Sequence, residues 1–264
     1  MESAIHSIGG LNKLDDAGRF DYLRMLFPPT LLERYGIDAE TFSDDEGHPL
    51  LRWIGSPGTN AIEVSLYHRH DALDPIVYFH LTDTIAQQLH VLLVILNDPE
   101  SERFGVDRMP DGSKTHFGTF SRNLEAEVAA MQAGLAPGQI RRGLRAFREA
   151  MECFEAFVQR LGHDIYFVEP LAYHNAVIFE RYGFAYQQGR RWMQSLNIRF
   201  AEGGDLRSRL DGSTPFRQPE FARTIRGRSW AIHDNVLGEP YTGVVMYKRV
   251  GQDADVSTFT GEEW

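Results

Sequence analysis

Apolar positions recur along this chain at two different periods, and the change of period divides it. Leu14, Phe20, Leu23, Leu26 and Phe27 return near helical spacing until Pro28 and Pro29 stop the pattern. Leu31, Leu32 and Tyr35 predict a further short helix that Gly36 ends. From about Leu50 the runs LLRWIGS, AIEVSLYH, PIVYFHLT and HVLLVILND are short and rich in β-branched and aromatic residues. Polar or turn-forming stretches separate them, which predicts a meander of antiparallel strands. HVLLVILND is apolar almost throughout, so it is expected at the sheet centre with both faces covered.

The charged, glycine-containing segment that follows, to about Phe120, reads as a long loop. A helix can begin at Asn123, with Glu125 and Glu127 in the first turn, where the helix dipole favours negative charge. Gly134 and Pro137-Gly138 interrupt it. A long amphipathic helix is then expected from about Gln139 to Leu161, closed by Gly162. Its apolar stripe is Ile140, Leu144, Phe147, Met151, Phe154, Phe157, Val158 and Leu161. DIYFVEP predicts a strand, NAVIFERYGF a short helix closed by Gly183, FAYQQG a strand and YTGVVMYKRV a last strand. Residues from about 197 to 235 show no clear period, and GQDADVSTFTGEEW reads as a loose acidic tail.

The organisation expected from these patterns is a helical segment over 1–49 and a main domain over 50–250 with an insertion at about 197–235. The tail takes 251–264. Composition adds limits. Of 264 residues, 42% are hydrophobic and 24% charged, an ordinary balance for a soluble globular protein. The formal net charge of −10 argues against general binding to nucleic acid or anionic membrane, because the summed field repels phosphate. The single cysteine, Cys153, falls among helical apolar positions and leaves no internal disulfide. No run reaches the roughly 18 apolar residues of a membrane span, and none near the N-terminus has signal-peptide length, so a cytoplasmic location is expected.

Charge then singles out one place. Arg141, Arg142, Arg145 and Arg148 crowd the expected start of the long helix, where a helix already carries partial positive charge. A bound anion would account for them, since backbone donors and guanidinium groups converge on a phosphate. A solvated face with Arg145–Glu149 and Arg148–Glu152 pairs would account for them too.

These segments, taken in order, resemble the acyl-CoA-binding half of the GCN5-related N-acetyltransferases. LAPGQIRRGLRAF is similar to that family's pyrophosphate loop and helix start. DIYFVEP resembles the strand that splays to admit the cofactor. IFERYGFAY is similar to the closing helix turn and next strand, and VVMYKRV to the last strand. The resemblance covers about Leu135–Gly189 plus the terminal strand and is carried best by Glu180–Phe184. It implies an α/β, acyl-CoA N-acyltransferase-like fold, a mixed, mainly antiparallel sheet flanked by helices. It implies an acetyl-CoA or other acyl-CoA as substrate, with Gln139, Arg141, Arg142 and Gly143 at the pyrophosphate and Asn175 as a further contact. The expected partner is an amine of a small molecule or peptide; a homodimer is compatible with this reading.

The pattern departs from the family at named positions. The family loop is Q/R-x-x-G-x-G/A, whereas Gln139 is followed by Ile140, Arg141, Arg142, Gly143, Leu144 and Arg145, with one glycine a place late. Phe179 stands where the family often has a tyrosine acid, and Ala172 where it has an asparagine. Tyr173, His174, Tyr182 and Tyr186 are near enough in sequence to supply the missing proton donor. Glu169, at the end of the splayed strand, is a plausible base. Catalysis is therefore assigned to Glu169, Tyr173 and Tyr182.

Two other classes stay open. One is a domain of the same type that binds a ligand or partner without catalysis. The other is a metal-dependent enzyme using His68 and His70, an H-x-H expected on one face of a strand, with His80, Asp83 and His116 as further ligands. RGRSWAIHDN, Arg226 to Asn235, reads as a loop with a short strand. Its Ser229, His233 and Asp234 are too local for a hydrolase triad. Gly9-Gly10 reads as a flexible turn.

Overall fold

The computed structural model describes residues 5–115, 121–261 and 264. The fold is mixed α/β with mainly antiparallel strands. In chain order the elements are α1 (Ile8–Leu11), α2 (Asp16–Leu23), α3 (Pro29–Arg34), β1 (Leu51–Ile54), β2 (Ala61–Leu66), β3 (Val77–Asp83) and β4 (Leu89–Leu96). Then come α4 (Leu124–Gln132), α5 (Phe147–Arg160), β5 (Ile165–Val168), α6 (Tyr173–Arg181), β6 (Ala185–Gln188), α7 (Arg190–Phe200), α8 (Asp205–Ser208), α9 (Ile225–His233) and β7 (Val245–Arg249). They belong to two compact units. The first comprises Met1–Glu100, Gly143–Glu169 and Tyr247–Asp253; the second comprises Ser101–Arg142, Pro170–Met246 and Ala254–Trp264.

In the first unit the strands run β1-β2-β3-β4-β5-β7. The alternation read from sequence sets the register. Ile62, Val64 and Leu66 of β2 lie opposite Leu81, Phe79 and Val77 of β3, and all six are buried. β1 through β4 pair antiparallel, whereas β4 and β5 are parallel. The amphipathic helix α5 buries Ala150, Phe154, Phe157 and Val158. Phe154 stacks on Phe79 at 5.5 Å and meets Tyr166 edge-on at 5.1 Å, so one side chain joins the helix to two strands. Gly9 and Gly10 lie in the short helix α1, not in a flexible turn. The Asp83 carboxylate accepts from the amides of Ile8 at 2.7 Å and Gly9 at 2.8 Å, and so tethers the N-terminal segment to the end of β3.

α5 starts at Phe147 rather than Gln139. The periodicity of Ile140 and Leu144 misleads because each residue is used elsewhere. Ile140 packs with Val106, Ala130 and Leu135 in the second unit. Leu144 donates its amide to the Leu96 carbonyl at 3.3 Å in the first. The C-terminus is as expected: Gly162 takes φ +78°, and the His163 amide reaches back to the Val158 carbonyl at 3.1 Å.

In the second unit β6 lies beside β7, whose first two residues belong there. Two expectations are corrected. Residues 197–235, which show no clear period in the sequence, contain the end of α7, α8 and α9 with irregular chain between them. The segment expected as loop and strand forms α9, whose Gly227 through Ile232 are all buried. A helix covered on every side carries no amphipathic period, so the sequence gives no signal for it. Nor is the terminal segment a loose tail. Phe259 is buried, and Thr258 donates its amide at 3.0 Å and its hydroxyl at 2.6 Å to the Glu180 carboxylate.

Candidate functional site

The first unit contains a place where one strand ends while its neighbour runs on: β5 stops at Val168 and β4 continues to Leu96. β4 and β5 keep parallel register over only three pairs, Leu89↔Tyr166, His90↔Phe167 and Val91↔Val168. On its other edge β4 pairs His80↔Leu93 but Leu81↔Val91, so Leu92 is the extra residue of a bulge. A bulge bends its strand and increases the local twist, and this one falls where the pairing with β5 stops. Leu93, Val94, Ile95 and Leu96 continue with β3 as their strand partner, Leu92 is paired to neither neighbour among the described residues, and each of the five is half-buried. The expectation that both faces of this strand are covered is corrected there. An aliphatic strand without full cover is a surface suited to an extended, partly apolar ligand.

The chain returns to the end of this strand after a long excursion through the second unit. Gly143 bridges Asn97, and three residues later α5 begins. The N-cap of α5 is Ala146, with no side chain capping its amides. Unpaired N–H groups and the positive end of the dipole are the elements of an anion site. Arg145 is exposed beside them and makes no hydrogen bond or ion pair with the described residues. Gly143 is not sterically obligatory, since a Cβ there would sit 3.5 Å from the Leu96 carbonyl oxygen.

His90 pairs with Phe167, one residue before the pairing with β5 ends at Val91. Its Nε2 is buried without a partner, burial lowers its pKa, and the Glu169 carboxylate opposes that shift. Glu169 itself is exposed at the end of β5. Sequence reasoning named Glu169 and missed His90, whose only signal was a polar residue at the head of an otherwise aliphatic run.

The remaining predicted residues lie in the second unit. The Gln139 side chain accepts from the Ala136 amide at 2.8 Å and closes its own turn. The Arg141 guanidinium donates to the Ser101 carbonyl. Arg142 is exposed, and its backbone amide donates to the Ser101 hydroxyl at 3.1 Å while its guanidinium reaches the Ala133 carbonyl at 3.4 Å. None of the three lies on a helix, so the argument that they oppose a helix dipole does not apply to them.

Tyr173 is buried, its hydroxyl 3.5 Å from the Arg228 guanidinium, and burial raises its pKa. Tyr182 is half-buried at the C-cap of α6. Asn175 keeps a buried, unpartnered side-chain oxygen. Phe179 has a local role: the Phe184 amide reaches its carbonyl at 3.1 Å around Gly183, and their rings lie 5.0 Å apart, the apolar contact that accompanies this helix ending. Glu180 is buried and also accepts from the Tyr186 hydroxyl at 2.5 Å.

The second unit also holds an ionic network that sequence reasoning did not find. Arg122 donates to Glu127 at 2.5 Å and to Asp234 at 2.9 Å, His233 contacts Glu127 at 3.0 Å, and Arg217 donates to Asp234 at 2.9 Å. Burial raises the Glu127 pKa, but His233 and Arg122 outweigh it and hold the carboxyl below its ordinary value. His68 and His70 lie beyond the end of β2 rather than on it, with His70 stacked on His48 at 4.7 Å. No group of three or more His, Cys, Asp or Glu side chains among the described residues could hold a metal ion. His116 lies outside the described residues. No helix among the described residues is long and apolar enough to cross a membrane.

Comparison with protein-family models, curated proteins and solved structures finds no match for this chain.

Proposed function

We propose that this chain is an acyl-CoA-dependent N-acyltransferase, a divergent relative of the GCN5-related N-acetyltransferases, acting on an amine of a small molecule or peptide. One observation carries the reading. β5 ends after three residue pairs with β4 and leaves the aliphatic segment Leu92–Leu96 only partly covered. That open edge follows the strand to which the resemblance assigns the splay for the cofactor. The residues of the first unit fit such a substrate. Leu92–Leu96 would line the chain of the acyl-CoA, and the uncapped start of α5 with Arg145 would meet its phosphates.

In the reaction the amine nitrogen attacks the thioester carbonyl carbon, the C–S bond breaks, and the thiolate leaves. The proton lost by the amine goes to His90 or Glu169, directly or through water. A neutral imidazole suits that role, and burial keeps His90 neutral. The departing thiolate takes a proton from solvent, since Phe179 has none to give and the Tyr173 hydroxyl is sealed among protein atoms.

Calorimetric titration of the whole chain with CoA and acetyl-CoA tests the reading. Saturable binding to both, abolished by a bulky charged substitution in Leu92–Leu96, supports it; no heat and no thermal shift at millimolar ligand would defeat it. The same Phe179 and Tyr173 observations favour a second reading, in which the domain binds an acyl-CoA without transfer. Binding without thiol release across a panel of amines would select that one.

A further inference from the structure

Two arginines sit two residues apart on α9 and have opposite surroundings. Arg228 is buried and well supplied. It donates to the Ala222 carbonyl at 2.7 Å and the Asn197 side chain at 2.8 Å, and its guanidinium lies over the rings of Phe200 and Phe259. Arg226 is half-buried, yet no protein acceptor receives any of its N–H groups and no carboxylate pairs with it among the described residues. Its Nε is buried and unpartnered. A guanidinium has five donors and does not lose its proton in proteins, so removing half of it from water without an acceptor is costly.

Among the described residues, the groups that act on Arg226 are positive or neutral. The charged side chain that acts on it is Arg142, a like charge that, after burial, further lowers its pKa. Its guanidinium lies over the Trp264 ring at 5.7 Å, and Arg181 lies over the same ring at 5.6 Å. His174, on α6, is within its field and stays neutral: burial first, then Arg226 and His233, bring its pKa down to about 3. The bland account is that the two arginines cap the C-terminus of α4. Arg142 does donate to the Ala133 carbonyl there, but Arg226 donates to nothing. Arg226 Nη1 lies 3.3 Å from where a Cβ on Gly134 would stand and Arg142 reaches the neighbouring Ala133 carbonyl at 3.4 Å, so both guanidinium groups flank the same helix end with no acid paired to either among the described residues; the ligand class that would satisfy both is a small oxyanion.

We infer that Arg226 and Arg142 form an anion site in the second unit that takes a phosphate group, free or as a phosphate monoester. A dianion fits better than a carboxylate because it offsets both charges and offers acceptors to both forks. The site stands on second-unit residues and does not depend on the acyl-CoA reading.

The test uses the full chain with inorganic phosphate, at ionic strength matched with sodium chloride. Phosphate is expected to raise Tm with the logarithm of its concentration above Kd, reaching roughly 5–10 °C at a hundredfold excess. Acetate is expected to give less than a third of that. Arg226→Gln is expected to remove the shift while leaving Tm in chloride nearly unchanged or higher, because the guanidinium it deletes has no hydrogen-bond or ion-pair partner among the described residues and repels Arg142, which offsets its contact with the Trp264 ring. Glucose 6-phosphate, set against inorganic phosphate, distinguishes a monoester from the free ion; binding of either supports the site. A phosphate shift equal to that of chloride, or one retained in Arg226→Gln with native far-UV circular dichroism, would overturn it. So would a large loss of stability in Arg226→Gln without phosphate.

Discussion

The imidazole Nδ1 of His174 and the hydroxyl of Ser229 lie 2.8 Å apart, with both side chains buried. The pair joins α6 to α9 inside the second unit. Its histidine is held neutral by burial, with Arg226 and His233 adding to the effect, and its pKa is brought from 6.5 down to about 3. The unfolded chain binds a proton at this residue below about pH 6.5, whereas the folded chain does not until far lower pH. Stability is therefore full above pH 6.5 and falls on acidification by about 1.4 kcal/mol per pH unit from this group. Urea denaturation between pH 7.5 and 5 checks it. The slope of unfolding free energy against pH is expected to be shallower in His174→Gln by close to one proton, and an unchanged slope would remove the assignment.

Glu180 holds the terminal segment in place. Its carboxylate accepts from the Tyr186 hydroxyl and from both the amide and hydroxyl of Thr258. Glu180→Ala leaves a cavity and at least three donors without their acceptor. A loss of about 2–4 kcal/mol is expected, with new protease cleavage after Ala254. Thr258→Val removes one of those bonds and is expected to cost about 1 kcal/mol without opening the segment. Limited proteolysis read by mass spectrometry separates the two outcomes.

The segment most similar to the acetyltransferases, Glu180–Phe184, was legible because its shape is set locally. A glycine in the left-handed region, a backbone bond from Phe184 to Phe179 and their ring contact fix the turn within six residues. The same physics explains why Phe179 need not be tyrosine. The strands were legible for a similar reason, since Val64 and Phe79 declare their face by period two. The start of α5 was not, because Ile140 and Leu144 keep helical spacing while packing elsewhere. The bulge at Leu92 lies in an unbroken aliphatic run, and nothing in that run marks which residue is extra. α7 carried a usable signal in Met193, Leu196 and Phe200, spaced three and four apart and all buried.

Arg145 and Arg141 are distinguished by what they touch. Arg145 is exposed beside the uncapped start of α5 and has no protein partner, so Arg145→Ala is expected to leave Tm unchanged and to weaken CoA binding roughly tenfold. Arg141 donates to the Ser101 carbonyl, so Arg141→Ala is expected to cost about 1 kcal/mol of stability with little effect on CoA. Calorimetric titration beside thermal denaturation of both variants decides. If Arg141→Ala is the one that loses affinity, the phosphates bind at the loop expected from sequence and not at the helix start.

Gly55 and Asn12 test how tightly the N-terminal segment is built into the first unit. Asn12 is fully buried, and its side-chain nitrogen donates to the Thr59 carbonyl at 3.0 Å, the Thr59 hydroxyl at 3.1 Å and the Ala61 carbonyl at 2.9 Å. A Cβ on Gly55 would lie 2.5 Å from the Asn12 side-chain oxygen and 3.0 Å from Ile62 Cγ1. The asparagine cannot retreat without releasing its bonds, so Gly55→Ala is expected to destabilise by about 2–3 kcal/mol, although alanine normally favours folding over glycine. Asn12→Ala alone leaves two backbone carbonyls short of a donor and is expected to cost a similar amount. In the double variant the nearer of the two contacts, that with Asn12, is gone. Its cost is expected to fall short of the sum of the two by at least about 1 kcal/mol. Strict additivity in urea denaturation would mean that the two residues do not share the space their coordinates assign them.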